Sequence, residues 1–343
     1  MALAEVTEHV AKTARHTTFY LASGPEGGTP VIFLHGWPEL SISWRHQLPV
    51  FASLGFRAIA PDMRGYGRSS CYTTHAAYAQ REVVADMIEL ADALGIDRAV
   101  WIGHDWGSPV VWNLASHHPA RCRAVANLCV PYHTLEYGIE VALEFCDREL
   151  YPVDKFPAAQ WDYMRFYEEN FDKAVRVFEA NVENTVRCLF RAGNPAGRGQ
   201  PSGTSKIRQN NGWFGGAPSA PDLPRDAQIL TEADMNAYAS ALKLKGFFGP
   251  DSWYMNHAAN ASYAAEALND GYLDMPVLLL EAEYDYTCDC VGSKLSEPTR
   301  KYCRDLMVKR VKSGHWMAQE CPAEVNAHLV TWLATRVPDV FVK

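Results

Sequence analysis

The feature that most restricts the fold of this chain is a rhythm: short apolar runs end in glycine-bearing turns and give way to helical spacing. The runs are Val31–Leu34, Phe56–Ala60, Ala99–Ile102 and Ala124–Val130. Each has the length of a strand and is far too short to cross a bilayer. Between them, Gln80–Leu94 carries Val83, Val84, Met87, Ile88, Ala91 and Leu94 at helical spacing and stops at Gly95, and Pro109–Ser116 reads as a second helix. Strand, helix, strand, helix at these lengths predicts an α/β fold, a mostly parallel central sheet flanked by helices. With 343 residues, 48% of them hydrophobic and 21% charged, the chain is long enough to bury such a core.

From about Leu135 to Gly249 the rhythm breaks into amphipathic helices rich in aromatics: Trp161, Tyr163, Phe166, Tyr167 and Phe171. A Gly/Pro/Asn/Ser-rich stretch, Ala192–Pro224, interrupts them and reads as an excursion loop followed by one further helical segment. Strands return at Pro276–Glu281 and Met307–Val311, and Ala323–Arg336 closes the chain as a helix. The expected division is an α/β core over 1–134 and 249–343, with a helical cap inserted at 135–248.

Lys plus Arg total 32 against 40 Asp plus Glu, a formal charge of −8. That balance repels phosphate backbones and anionic bilayers, so neither a nucleic-acid nor a membrane partner is expected. The amino terminus has early acids and no apolar core, which argues against a signal peptide. Nine irregularly spaced cysteines suit reduced thiols, and the cytosol is the expected compartment. Cys288-Asp289-Cys290 with Cys303 lacks a fourth ligand at sensible spacing, so no metal is expected there. Gly65-Tyr66-Gly67 lacks the rest of a dinucleotide fingerprint and reads as a tight turn.

Gly103-His104-Asp105-Trp106-Gly107 has the shape of a nucleophile elbow, Gly-x-Nu-x-Gly, between a strand and a helix. Glycines relieve the clash of so sharp a turn, the central side chain is thrust outward, and the next backbone N–H becomes an oxyanion donor. Alone, the pattern is equally an aspartate capping a helix. The elbow chemistry also requires a second donor from an earlier strand end, where His35-Gly36-Trp37-Pro38 lies. It requires an acid and then a histidine as well, and Asp285 and His315 follow the two returning strands in that order. Individually Asp285 reads as a solvated loop carboxylate, with Asp289 a rival for its place, and His315 as a ring packed on Trp316. His35 and His104 read as holders of backbone geometry.

The chain resembles the soluble epoxide hydrolases of the α/β-hydrolase superfamily. The likeness runs from about Val31 to Trp332 through HGWPELSISWRHQ, PDMRGYGRSS, GHDWGS, DYMRFYEE, GFFGPDSWY, EAEYD and SGHW. It implies an α/β-hydrolase fold with an inserted cap, Asp105 as nucleophile, Asp285 as relay acid, His315 as base, and Tyr163 and Tyr254 as the cap tyrosines. The oxyanion would be met by the backbone N–H groups of Trp37 and Trp106. The substrate would lie among Trp37, Trp106, Tyr163, Tyr254 and Trp316. The resemblance implies no cofactor, and a small apolar epoxide and water as partners. Larger members add an amino-terminal phosphatase domain, for which these residues have no room. A monomer is compatible with the sequence, which does not fix the oligomeric state.

The chemistry fits those residue types. A serine that opened an epoxide would form an ether and stop there, whereas a carboxylate forms an ester that water can cleave. An ordinary aspartate, with a pKa of about 3.9, needs no base for the first step, which leaves the histidine to activate water for the second. A phenol with a pKa of about 10 stays protonated at neutral pH yet readily protonates an alkoxide. Haloalkane or haloacid dehalogenation, with the Trp106 indole as halide donor, is the alternative enzyme reading. A non-catalytic small-molecule receptor on the same scaffold is the alternative of another class.

Overall fold

The structure is a computed structural model, which describes residues 5–341. Its centre is an eight-stranded sheet in the order β1-β2-β4-β3-β5-β6-β7-β8. In chain order these are β1 (Val6–Lys12), β2 (Thr17–Ser23), β3 (Pro30–Leu34), β4 (Arg57–Pro61), β5 (Ala99–His104), β6 (Cys122–Leu128), β7 (Leu273–Ala282) and β8 (Cys303–Val311). From β4 to β8 every pairing is parallel, while β1 and β2 pair antiparallel with each other and β2 pairs antiparallel with β4. Every residue of β5 is buried, as expected of a strand covered on both faces. Trp101, Trp112 and Trp332 are among the largest side chains wholly inside.

The six strands read from the sequence are all present, several of them longer by a few residues. The β1–β2 hairpin was not read, for a physical reason. All but one residue of β1 are exposed, so VTEHVAK carries no apolar face to betray a strand, and backbone pairing along its whole length with β2 holds it.

Between β6 and β7 the chain is helical. Its main helices are Asp162–Glu179, Val182–Leu189, Glu232–Lys245, Phe248–Ser252 and His257–Ala264. Ala192–Pro224 has no α-helix, only short 3-10 turns. Where one helical segment was expected after that stretch, three α-helices follow: Glu232–Lys245 is set by a Thr231/Asp234 capping box, and Phe248–Ser252 and His257–Ala264 lead back to β7. We propose 135–248 as the extent of the cap. Among the described residues no helix is long and apolar enough to cross a membrane.

Candidate active site

Only Asp105 and Trp106 separate β5 from the helix Gly107–His117. So abrupt a corner puts Asp105 in left-handed backbone, at φ 48°, a conformation that costs a non-glycine residue about 1–2 kcal/mol. A Cβ at Gly103 would overlap Asn127 and the Gly107 backbone, and one at Gly107 would overlap the Leu34 carbonyl. The two glycines therefore let the corner close.

The loop after β3 passes against this corner. The Trp37 N–H donates to Asp105 Oδ1 at 2.6 Å. A Cβ at Gly36 would overlap both that carboxylate and the Trp106 nitrogen. The Trp106 N–H shares the corner, yet among the described residues it donates no hydrogen bond to Asp105.

His315 follows β8 and Asp285 follows β7. His315 Nε2 stands 3.3 Å from Asp105 Oδ2, and its Nδ1 meets Asp285 Oδ2 at 2.6 Å. The other Asp285 oxygen accepts the N–H groups of Thr287 and Cys288 at 3.0 and 2.9 Å. Burial alone would raise the Asp285 carboxyl, but the His315 charge, its hydrogen bond and those two N–H donors outweigh burial and hold it at about 2. Burial alone would likewise lower His315. The Asp285 charge and the hydrogen bonds to Asp105 and Asp285 reverse this and lift the ring well above the ordinary histidine value. The resting imidazole is thus held as a cation between two acids.

Behind the corner lies a second buried acid–histidine pair. His104 Nδ1 meets Glu39 Oε2 at 2.7 Å, and that same oxygen accepts the Gly36 N–H at 3.0 Å. His104 Nε2 bonds the His315 carbonyl at 2.7 Å. The pair therefore ties the Gly36–Trp37 loop to the His315 loop, a backbone-holding place for His104. His35 sits similarly, with Nε2 accepting the Met63 N–H at 2.9 Å.

A cavity of about 330 Å³ opens over Asp105, Asp285 and His315. Trp37, Tyr163, Trp213, Tyr254 and Trp316 supply its aromatic wall. Tyr163 comes from the helix Asp162–Glu179 and Tyr254 from the turn Trp253–Met255, yet their rings stand 5.6 Å apart at 75°. Among the described residues neither hydroxyl makes a hydrogen bond. Burial first, and the Asp105 charge among the further causes, raise both phenols well above their ordinary value, so both rest protonated.

A family model described as alpha/beta hydrolase fold matches residues 29–318. Epoxide hydrolase A of Mycobacterium tuberculosis is 31% identical over 340 residues, covering 95% of this chain and 97% of that protein. The chain belongs to the epoxide hydrolase family of the α/β-hydrolase fold. The crystal structure of epoxide hydrolase A from Mycobacterium thermoresistibile superposes with a TM-score of 0.78 at 30% identity, covering 96% of this chain and 99% of that one. Bifunctional epoxide hydrolase 2 of Sus scrofa is 33% identical over 310 residues, covering 90% of this chain and 52% of that protein. The chain thus spans about half the length of the mammalian relatives it matches.

Within this family member the residues singled out from sequence fall into two sets. Asp105, Asp285, His315, Tyr163, Tyr254, Trp37 and Trp316 all line the one cavity. Trp106 is not among the lining residues, and its indole packs edge-on to Tyr254 at 5.1 Å and 83°. Asp289 takes no part, because Oδ1 is turned onto the N–H groups of Val291 and Gly292. Cys288, Asp289, Cys290 and Cys303 do not converge as ligands among the described residues. The groups that do are His104/Cys129/His315 and Asp285/Cys288/His315, and both draw on His315. Gly65 and Gly67 both lie at positive φ, as a tight turn requires.

Sequence reasoning passed over Trp213, which lies in the polar excursion stretch and packs within 5.7 Å of Tyr163. It also gave Tyr167 no role. That ring stacks on Tyr254 at 4.6 Å and 14°, and its spacing of four from Tyr163 was the available signal.

Proposed function

We propose that this protein hydrolyses epoxides to vicinal diols through a covalent ester on Asp105. The observation that carries the reading is the division of labour between the two Asp105 oxygens. Oδ1 is held by the Trp37 N–H, while Oδ2 faces His315 and the cavity.

In the first step Oδ2 attacks a ring carbon. The new C–O bond forms as the ring C–O bond breaks, and Tyr163 or Tyr254 delivers a proton to the departing oxygen. The geometry couples these events. The negative charge of Asp105 is among the causes that keep both phenols weakly acidic, and esterification removes it as the alkoxide appears. Esterification also removes one of the two acids that hold the His315 proton, so the ring passes that proton to the phenolate left by ring opening and becomes a neutral base.

In the second step His315, oriented by Asp285, takes a proton from water, and the hydroxide adds to the Asp105 carbonyl carbon. The charge that develops on Oδ1 meets the Trp37 N–H already in place, and loss of such a donor typically costs about 3–4 kcal/mol. On collapse the departing diol oxygen takes the proton from His315, and the carboxylic acid left on Asp105 returns its proton to His315, which restores the carboxylate and the charged ring.

The aromatic wall suits an apolar, uncharged substrate body. Dehalogenation is the weaker reading, because the two phenols of Tyr163 and Tyr254 suit a departing oxygen that needs a proton better than a halide, which needs none. The test is a single turnover of a styrene-type or aliphatic epoxide in ¹⁸O-labelled water, with haloalkanes assayed beside it. Label is expected in the Asp105 carboxylate and not in the first diol, with no halide released. Label passing straight into the first diol would overturn the ester mechanism.

A further inference from the structure

Beneath the aromatic wall lies a carboxyl group that the reaction just described does not use. Asp251 belongs to the helix Phe248–Ser252, just before Tyr254, and is 0% exposed. The Trp37 indole Nε1–H donates to its Oδ1 at 2.8 Å. Its Oδ2 is buried without a partner, and so is the Tyr167 hydroxyl. No formed hydrogen bond joins them, yet the Tyr167 hydroxyl is near enough to act on Asp251 as a donor that favours the charged form, against the larger effect of burial. The remaining group that bears on Asp251 is Glu179, another acid, and no cation is among them. A carboxylate enclosed with the Trp37 N–H, the nearby Tyr167 O–H and a like charge, but no cation, is costlier than the carboxylic acid. The acid form offers an acceptor for the Trp37 indole and can pair with the Tyr167 hydroxyl in either direction, so it meets its surroundings without a buried charge.

Resting on the epoxide-hydrolase reading, we propose that Asp251 is a positioning residue for ring opening: a neutral carboxylic acid that clamps the Trp37 side chain and the Tyr167 hydroxyl. Its reach covers both halves of the chemistry. Trp37 is the residue whose backbone N–H meets Asp105, and its ring contacts Tyr254 edge-on at 6.0 Å and 81°. Tyr167 is the ring stacked on Tyr254. One buried acid thereby fixes the oxyanion donor relative to the phenols.

The test pairs infrared spectroscopy with kinetics on the full chain. The difference spectrum between wild type and Asp251→Asn should show the C=O stretch of one protonated carboxyl, lost in the variant. Asparagine keeps an acceptor and a donor, so its kcat should stay within about threefold of wild type. Asp251→Leu fills the space but orphans the Trp37 N–H. It should lower kcat about tenfold, the effect of one unpaired buried donor, with KM nearly unmoved. On a Trp37→Phe background the leucine change should add nothing.

Absence of the carboxyl band, or leucine and asparagine variants of equal kcat, would overturn the proposal. Should Asp251→Leu not fold, the infrared band and the asparagine variant still decide it. Should wild type open no epoxide, the hydrolase reading fails instead. The band, and the coupling of residues 37 and 251 in thermal stability, then judge the clamp alone.

Discussion

At the cavity floor Asp105, His315 and Asp285 are held by strand ends, backbone N–H groups and one another, whereas in the wall above them Tyr163 and Tyr254 make no hydrogen bond among the described residues. In the proposed reaction the floor stabilises charge at fixed points, and backbone donors at strand ends do so with little reorganisation. In the same proposed reaction the wall lets go of a proton and takes one back, and a phenol tied to a strong acceptor would do that badly. Its precision comes from shape: Tyr167 stacked on Tyr254, Trp213 against Tyr163 and Trp37 edge-on to Tyr254 hold the rings without holding the hydroxyls. The floor is therefore sensitive to any change of charge, and the wall to any loss of an O–H or of packing.

Removing the base should break this comparison most severely, because it separates the two steps. His315→Ala leaves Asp105, the Trp37 donor and both tyrosines in place, so the epoxide should still alkylate Asp105, and the ester should then persist. Intact-mass spectrometry should show the enzyme heavier by one substrate, with steady-state kcat lower by roughly 10⁴–10⁶, as when a member of a catalytic unit is lost. An inactive variant with no adduct would mean that floor and wall do not act in sequence.

The wall is tested by the opposite lesion. Changing both Tyr163 and Tyr254 to Phe preserves the rings and their packing but removes the acids. The rate of ester formation in single-turnover kinetics should fall by about 10²–10⁴, the usual worth of a general acid. Either single change should cost less, because the remaining phenol still reaches the same oxygen. No ester should accumulate at any stage. A double variant that formed ester at the wild-type rate would move the acid elsewhere.

The same contrast explains what could be read from the sequence. The floor was legible because a strand-to-helix corner needs its glycines and places Asp105 between them, and because Asp285 and His315 stand at consecutive strand ends. Chain order alone orders such a site. The wall was legible only through family resemblance. Tyr163 sits among several aromatics of one amphipathic helix, and nothing in local spacing says which of them meets Tyr254 across the cap. Trp213 was hidden for a related reason: it lies in a stretch whose composition reads as loop, and its burial at 8% exposure depends wholly on tertiary packing. The β1 strand escaped because backbone pairing, not apolar patterning, holds it.

The smallest expected effect concerns the bracing behind the floor, the buried Glu39–His104 pair. Burial would raise Glu39, but the His104 charge and hydrogen bond, with His35 and the Gly36 N–H, hold it at about 2. Burial would lower His104, but Glu39 outweighs it and the ring titrates at about 10. Glu39 is depressed from an unfolded value of about 4.3, so its contribution to stability is present above that value and fades as pH falls through 2. His104 is raised from about 6.5, so its contribution is full below that value and is lost as pH rises through 10. Both describe one ion pair, which should be strongest between these unfolded values. Glu39→Gln retains an acceptor for the Gly36 N–H and removes only the charge. Its Tm deficit against wild type should be widest near pH 5–6 and narrow toward both pH 2 and pH 10. A deficit independent of pH would mean that this brace holds the two loops by hydrogen bonding alone, as the wall holds its rings by packing alone.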